Sequence, residues 1–262
     1  MNKMNLKTKS YNLLFLKFFC LIFYIFFFSN ILKAEVKIVI YNIERCFFTD
    51  ATPHHMIGQF PTKGNPNVFK KQNLKFCTTL KPVINDNFSY KAKTVGITLS
   101  GIPIRPNTAD WYDPKSPKGH SKKNTSGWNL EGITPYKKKL GIDSNNGHVD
   151  KNGLYHYHAA NNYLLNLEKN SLIGYAADGH EIHYLGPSIR SSWKLKNGTR
   201  STIPFGNHDG SFFQDYEFKE GSGDLDECNF GEINDQKVYF ATNEFPFFPR
   251  CLWGNPSKYF LR

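Results

Sequence analysis

The chain contains 262 residues, with 33 Lys and Arg against 22 Asp and Glu and a formal net charge of +11. The excess is confined to two segments: residues 1–34 carry five lysines and no acid, and residues 114–139 carry seven lysines and one acid, Glu131. The rest of the chain is balanced and 16% of all residues are aromatic, which excludes a disordered chain and a protein that coats nucleic acid or membranes through charge spread over its whole surface.

The N-terminal segment has the layout of an export signal. Basic residues are followed by an apolar run over residues 13–28 and by a small residue, Ala34, at a candidate cleavage site. This order is typical of a secretory signal peptide, and the run is shorter than the roughly 18–20 residues of a membrane span. We therefore predict a signal peptide over residues 1–34 and a secreted or periplasmic domain over residues 35–262, without membrane attachment after cleavage. An uncleaved anchor is the alternative.

From residue 36 onward, short apolar or alternating runs are separated by Gly, Pro, Asn and Asp. They predict strands over Val36–Ile43, Thr94–Leu99, Gly153–Ala159, Leu172–Ala177, Glu181–Leu185, Ser211–Phe218 and Val238–Thr242. The longest stretch with helical periodicity is short, around Tyr163–Lys169. We expect a mainly β, sandwich- or barrel-like single domain with little helix and long loops, including a Lys-rich surface loop over residues 105–140.

Four cysteines remain after the export segment, at Cys46, Cys77, Cys228 and Cys251. An even number of cysteines in an oxidising compartment predicts disulfide bonds. The pairs Cys46–Cys77 and Cys228–Cys251 are favoured because each closes a modest loop. A zinc site is the competing interpretation, but no two of these cysteines have the two-residue spacing that such sites usually show.

The segment 146–158 contains three histidines, and residues 155–158 are Tyr-His-Tyr-His. On a strand, alternate side chains share a face, so His156 and His158 would lie together, roughly 6–7 Å apart at the backbone. A hairpin at the preceding Asn-Gly turn would return His148 toward the pair. Three imidazoles predict a site for a divalent metal ion, with room for water or substrate. Zinc, copper and iron all accept imidazole, so the residues do not distinguish between them.

Further blocks of sequence accompany the histidine segment. They are Gly-Gln-Phe-Pro at 58–61, Asn-Pro-Asn at 65–67, Gly-Ile at 96–97, Gly-Ile-Pro at 101–103, Gly-Tyr-Ala-Ala-Asp-Gly at 174–179, Asp-Gly-Ser at 209–211, Gln-Asp-Tyr-Glu at 214–217, the block 221–229, and Phe-Pro and Pro-Arg-Cys between 245 and 251. In these blocks the chain resembles the YHYH domain family of exported, mostly bacterial proteins, over nearly all of residues 50–262. The family has no established activity, so the resemblance implies site residues and not a reaction.

The resemblance implies five site residues, namely His55, His148, His156, His158 and Asp178. In a metal-dependent enzyme, Asp178 or His55 would supply an acid–base group or a fourth metal ligand. The chain departs from the family pattern at His180 and His183, where an apolar or aromatic residue is more usual. These departures imply either a modified rim of the site or the loss of its activity, and they make both histidines second-rank candidates.

The sequence lacks the Gly-x-Ser-x-Gly, phosphate-loop and His-Glu-x-x-His motifs, which removes three common enzyme classes. Three functions remain. The first is an exported metal-dependent enzyme, and the second is a non-catalytic extracellular module that binds a small molecule, a polysaccharide or another cell-surface component. The third is a structural domain whose histidines form internal hydrogen bonds. No nucleic-acid partner is expected.

Overall fold

A computed structural model describes residues 36–55, 57–167 and 171–261. The predicted signal peptide, residues 1–34, lies outside the described residues. In the described part of the chain, no helix has the length and apolar character that crossing a membrane requires. The elements are β1 (Val36–Tyr41), β2 (Glu44–Thr49), β3 (Leu74–Thr79), β4 (Gly96–Thr98), β5 (Pro103–Ile104), β6 (Trp111–Tyr112), β7 (His120–Ser121), β8 (Gly147–Val149), β9 (Tyr155–Tyr157), α1 (Asn162–Leu167), β10 (Leu172–Ala176), β11 (Glu181–Tyr184), β12 (Trp193–Leu195), β13 (Tyr216–Phe218), β14 (Phe230–Ile233) and β15 (Gln236–Ala241).

The largest sheet has eight strands in the order β14-β15-β11-β10-β4-β5-β9-β8. Its neighbouring strands are antiparallel except for the parallel pairs β11–β15 and β5–β9. The two end strands, β14 and β8, do not pair with each other among the described residues. The sheet is therefore open, and the barrel-like form of the prediction is not adopted.

A second sheet, of order β1-β2-β3, packs on the large one. Phe47 of β2 is fully buried and its ring centroid lies 6.1 Å from that of Tyr175 in β10. The antiparallel register of β2 and β3 places Cys46 directly opposite Cys77, and the two form a disulfide bond. This sheet therefore forms a cross-linked layer over one side of the core.

The second disulfide joins Cys228 to Cys251, so both predicted pairings are confirmed. It connects the residues just before β14 to the C-terminal segment. Potential ligand atoms of Glu44, Cys46 and Cys77 lie within 4.8 Å of one another, as they would around a metal ion. The two sulfur atoms, however, are joined in the disulfide bond. The zinc interpretation of these cysteines therefore does not hold.

Each of the seven predicted strand regions contains a strand, which confirms the mainly β prediction. The boundaries differ where local backbone geometry intervenes. The first strand ends at Tyr41 and not at Ile43, because Asn42 has a φ of 50° and turns the chain into β2. In the region 211–218 only Tyr216–Phe218 is a strand, since Phe213–Asp215 forms a 3-10 turn.

The predicted loop over residues 105–140 contains the short ribbon β6–β7. Six of the seven lysines between residues 114 and 139 are exposed, and Lys137 is half-buried. The segment also enters the interior, because Leu130 and Glu131 are 1% and 0% exposed. Glu131 pairs with the buried guanidinium of Arg250 at 2.5 Å, which fixes this excursion to the C-terminal segment.

The core lies against one face of the strands that carry the histidine segment. Tyr155 and Tyr157 of β9 are fully buried there, together with Ile97 of β4 and Ile104 of β5. Burial of an isoleucine side chain stabilises a fold by about 1.5–3 kcal/mol. Strand β9 is thus held by its tyrosine face, and His156 projects from the opposite face.

Candidate metal centre

The histidine segment forms a hairpin at one edge of the large sheet. Strands β8 and β9 pair antiparallel, with His148 directly opposite His156. The connecting turn is stabilised by Asp150, whose Oδ1 accepts hydrogen bonds from the backbone N–H groups of Asn152 and Leu154. The turn predicted from the Asn-Gly pair therefore returns the chain so that the first histidine meets the other two.

The three imidazoles His148, His156 and His158 form a compact cluster, called the His triad below. Their ring centroids lie 4.7–5.0 Å apart. One ligand nitrogen from each ring lies within 4.8 Å of the others, and Nε2 of His148 is 3.2 Å from Nε2 of His158. In a tetrahedral site with metal–nitrogen bonds of about 2.0–2.1 Å, two ligand nitrogens would lie about 3.3–3.4 Å apart. The distance between His148 and His158 fits such a site, and the ligand nitrogen of His156 lies within 4.8 Å of both.

Each ring of the His triad uses its other nitrogen, Nδ1, in a hydrogen bond to a backbone carbonyl oxygen. The bonds run from His148 to Leu140 (2.9 Å), from His156 to Leu154 (3.2 Å) and from His158 to Pro106 (3.2 Å). A carbonyl oxygen can only accept, so Nδ1 carries the hydrogen and Nε2 of a neutral ring carries a lone pair. Histidines that bind metal ions usually have their second ring nitrogen held by a hydrogen bond of this kind, which fixes the orientation of the ring.

Burial keeps these rings neutral. His156 and His158 are 4% and 1% exposed, whereas His148 is partly exposed. Desolvation is the main cause that lowers the pKa of His148, and it lowers the pKa of His156 and His158 well below the usual range. The mutual repulsion of the charged rings also lowers the pKa of His156 and His158. The His triad therefore consists of three neutral imidazoles whose Nε2 atoms carry lone pairs.

The excursion 105–140 closes the site on the side of His158. Besides the carbonyl of Pro106, it contributes Gly132, where an added Cβ would lie 3.2 Å from Nδ1 of His158 and 3.2 Å from a methyl group of Thr108. No larger residue fits without displacing the ring or its neighbours. No sequence pattern predicted these backbone contributions.

A charged group on the same excursion lies near the partly exposed His148. Asp110 accepts from Nδ1 of His120 at 3.0 Å and pairs with Lys122 at 2.7 Å. The charge of Lys122 lowers the pKa of His148 and that of Asp110 raises it. Asp110 and His120 were not predicted as site residues, because nothing in the sequence relates positions 110 and 120 to the histidine segment.

Asp178 does not join the His triad. It is 1% exposed at the turn after β10, three strand positions from β9 in the sheet order, which corresponds to about 14 Å. Its Oδ2 accepts from the hydroxyl of Tyr239 at 2.7 Å and from the backbone N–H of Gly254 at 2.9 Å. These bonds connect β10, β15 and the C-terminal segment, so the geometry gives Asp178 a structural position.

His55 lies on the opposite face of β9 from the His triad. Its Nε2 is 2.5 Å from the hydroxyl of Tyr157, and its ring lies edge-on to those of Tyr155 and Tyr163. Because Tyr155 and Tyr157 face the core, His55 is separated from His156 by the strand itself. The structure therefore does not bring His55 to the metal-like cluster.

The second-rank candidates also lie elsewhere. His180 is buried beside Asp178, with Nδ1 of the ring 3.3 Å from Oδ1 of the carboxylate. His183 lies between Glu181 at 2.8 Å and the hydroxyl of Ser171 at 2.9 Å. Neither ring contacts the His triad. His180 and His183 therefore do not form part of the rim of this cluster.

The family model described as YHYH protein matches residues 75–254 of the chain. No curated protein and no solved structure matches the chain. The matched region contains both strands of the hairpin, the whole His triad and the excursion that closes it. The match covers well over half of the sequence, and the chain belongs to the YHYH family.

Proposed function

We propose that the protein is an exported metal-binding protein that holds one divalent ion on the Nε2 atoms of His148, His156 and His158. The observation that carries the proposal is the convergence of these nitrogens while each Nδ1 donates to a carbonyl. In a structural domain with internally hydrogen-bonded histidines, the contact between the Nε2 atoms of His148 and His158 would need an added proton on one ring, which burial disfavours. A cation accounts both for the converging Nε2 atoms and for the hydrogen bonds from each Nδ1 to a carbonyl.

Three neutral nitrogen ligands leave one position of a tetrahedral ion for water or substrate. A divalent ion bound there would lower the pKa of a bound water and polarise a substrate oxygen. The partial exposure of His148 favours an opening on its side of the site. We therefore propose that the bound ion, which is zinc, copper or iron, takes part in catalysis.

The proposal gives the acid–base role to neither Asp178 nor His55, since their hydrogen-bond partners lie away from the His triad. In the enzymatic form of the proposal, the Asp110–His120 pair takes that role, because Asp110 lies close enough to His148 for its charge to raise the pKa of that ring. A carboxylate that holds an imidazole through Nδ1 is a common arrangement for a general base. The pair has this role only if the protein is an enzyme, and metal binding by itself does not require it.

Metal analysis of protein purified without a His tag tests the proposal. We expect close to one equivalent of zinc, copper or iron in the parent protein and a loss of at least tenfold in His156→Ala. His54→Ala is the matched control, because His54 lies outside the cluster and is partly exposed. Equal metal content in the parent and in His156→Ala would refute the proposal, and so would a parent protein without bound metal after exposure to these ions.

Export is supported by the two disulfide bonds, which persist in oxidising compartments. The intact mass of the protein recovered from its native host tests this part separately. We expect the mass of residues 35–262, reduced by the hydrogens lost in two disulfide bonds. A chain that retains residues 1–34 and has all five cysteines as free thiols would contradict export without bearing on the metal.

A further inference from the structure

A polar pocket lies where the histidine hairpin joins the rest of the chain, at Asn146 and Ala159, and its volume is about 280 Å³. This is near the lower end of the range for small-molecule sites, about 300–1,000 Å³. None of the side chains that line it is charged. Amide and hydroxyl groups predominate, and Ile133 and Phe247 add apolar surface.

The floor of the pocket, formed by Asn146 and Asn161, is held in place by hydrogen bonds that these side chains make within the protein. Asn146 accepts from Nζ of Lys137 at 2.7 Å and donates to the carbonyl of Ala160 at 2.7 Å. Asn161 donates to the carbonyl of Asn145 at 2.8 Å. These bonds join the segments before β8 and after β9, so the floor is preformed and a ligand would not have to order it.

Other polar groups of the pocket remain available to a ligand. The hydroxyl of Tyr184 donates to Oδ1 of Asn243 at 2.5 Å, which orients the amide and leaves its NH₂ group as a donor. Among the described residues, no partner engages that NH₂ group, the hydroxyl of Ser144 or the side-chain amide of Asn162. The pocket thus presents both hydrogen-bond donors and hydrogen-bond acceptors to a ligand.

We propose that this pocket binds one residue of a neutral saccharide. An anionic ligand would require a cationic lining side chain, and a cationic ligand would require a carboxylate or a cage of aromatic rings. A purely apolar ligand would cover the amides without giving them hydrogen-bond partners, which is unfavourable. Amides and hydroxyls that pair with sugar hydroxyls, beside the apolar surface of Phe247 and Ile133, match the alternating character of a sugar ring.

The pocket and the His triad are distinct sites that share one hairpin. Asn146 precedes His148 by two residues, and Ala159, which lines the pocket, directly follows His158. The saccharide proposal does not require a bound metal. Its test is therefore made in the presence of a chelator, so that failure of the metal proposal would not affect the result.

The test is a titration of the purified protein with glucose, galactose and N-acetylglucosamine, followed by NMR chemical shifts. Phosphate and spermidine serve as charged probes. We expect saturable shifts with at least one of the sugars, with a Kd of about 1 mM, a typical value for weak binding near −4 kcal/mol. Asn243→Ala and Asn162→Ala should each weaken binding by about tenfold, the loss of a hydrogen bond worth about 1.4 kcal/mol.

Asn197→Ala is the matched control, because Asn197 is an exposed asparagine remote in sequence from the lining residues. Asn162 and Asn243 are exposed as well, so the variants should fold like the parent. Sugar binding that is weakened about tenfold in both pocket variants and kept in Asn197→Ala would support the proposal. Absence of saturable shifts with all three sugars, binding that survives both pocket substitutions, or tighter binding of phosphate or spermidine would overturn it.

Discussion

Nε2 of His148 lies 3.2 Å from Nε2 of His158, although Nδ1 of each ring already donates to a backbone carbonyl. Two neutral rings in this state direct lone pairs toward each other. A shared proton would relieve the repulsion, but burial lowers the pKa of both rings and opposes it. A metal ion relieves the repulsion without adding a proton, and it brings in the third ring, His156, at the same time.

The lowered pKa values predict that the metal-free protein loses stability as the pH falls below about 6.5, the pKa of an unfolded histidine. In that pH range the histidines bind protons in the unfolded chain but stay neutral in the folded His triad. Each such histidine contributes a slope of up to about 1.4 kcal/mol per pH unit, and the loss ends once the pH falls below the folded pKa. Urea unfolding in chelator between pH 7.5 and pH 5 measures this.

Two variants separate the His triad from other titrating groups. His158→Gln should show a shallower slope than the parent, and His54→Ala should keep the slope of the parent. The comparison is needed because burial raises the pKa of Asp226, which acts with the opposite sign. A metal-free parent whose stability is constant or increases from pH 7 to pH 5 would contradict the prediction.

Asp178 should prove essential for stability and dispensable for metal binding. Asp178→Ala would leave the hydroxyl of Tyr239 and the backbone N–H of Gly254 without their buried acceptor. We expect a loss of about 3–5 kcal/mol in the free energy of unfolding, typical of breaking a buried charged network. Urea unfolding measures the loss, and metal analysis of the folded fraction measures retention.

Asp178→Asn provides the comparison, because an amide keeps one oxygen acceptor at nearly the same position. It should recover part of the stability lost in the alanine variant. If Asp178→Ala instead unfolds like the parent and releases the metal, Asp178 acts on the His triad and the structural role is wrong.

The His triad was predictable because its geometry is local. Alternation along a strand places His156 and His158 on one face and Tyr155 on the other, and a tight turn returns His148 within a few residues. These rules need no knowledge of the rest of the fold.

The position of Asp178 depended on sheet order, which local patterns do not contain. Strand β10 has β4 and β11 as neighbours, and the parallel pairing of β11 with β15 brings Tyr239 toward the turn that holds Asp178. The carbonyls of Pro106 and Leu140 were equally unpredictable, since every residue has a carbonyl. The strand containing Cys77 was missed as well, because Leu74–Thr79 lacks a turn dipeptide beside it.

The contact between Tyr157 and His55, on the face of β9 away from the His triad, allows a test of whether His55 belongs to the proposed metal site. Tyr157→Phe removes the hydroxyl that contacts Nε2 of His55 and keeps the buried ring. We expect a loss of about 1 kcal/mol in the free energy of unfolding, typical of one hydrogen bond. Metal content should stay at the level of the parent, because the hydroxyl lies on the face of the strand away from the His triad. Loss of the metal in this variant would place His55 in the site after all.

The last prediction concerns the ion pair that fixes the excursion 105–140. Glu131→Gln would leave the guanidinium of Arg250, which is 4% exposed, without its charged partner. Leaving a buried charge unpaired costs about 3–5 kcal/mol. Since the same excursion supplies the carbonyls of Pro106 and Leu140 to the His triad, the variant should also lose metal more readily to a chelator.

Glu232→Gln is the matched control. Glu232 pairs with Lys237 at 2.9 Å, but both side chains are about half exposed, and exposed pairs contribute only about 0–1 kcal/mol. Urea unfolding and the rate of metal loss to a chelator should both separate the two variants, with Glu131→Gln far less stable and faster to release the ion. Equal stability of the two variants would show that the Glu131–Arg250 pair does not hold the excursion. A destabilised Glu131→Gln that releases metal at the rate of the parent would show instead that the carbonyls behind the His triad are held by other contacts.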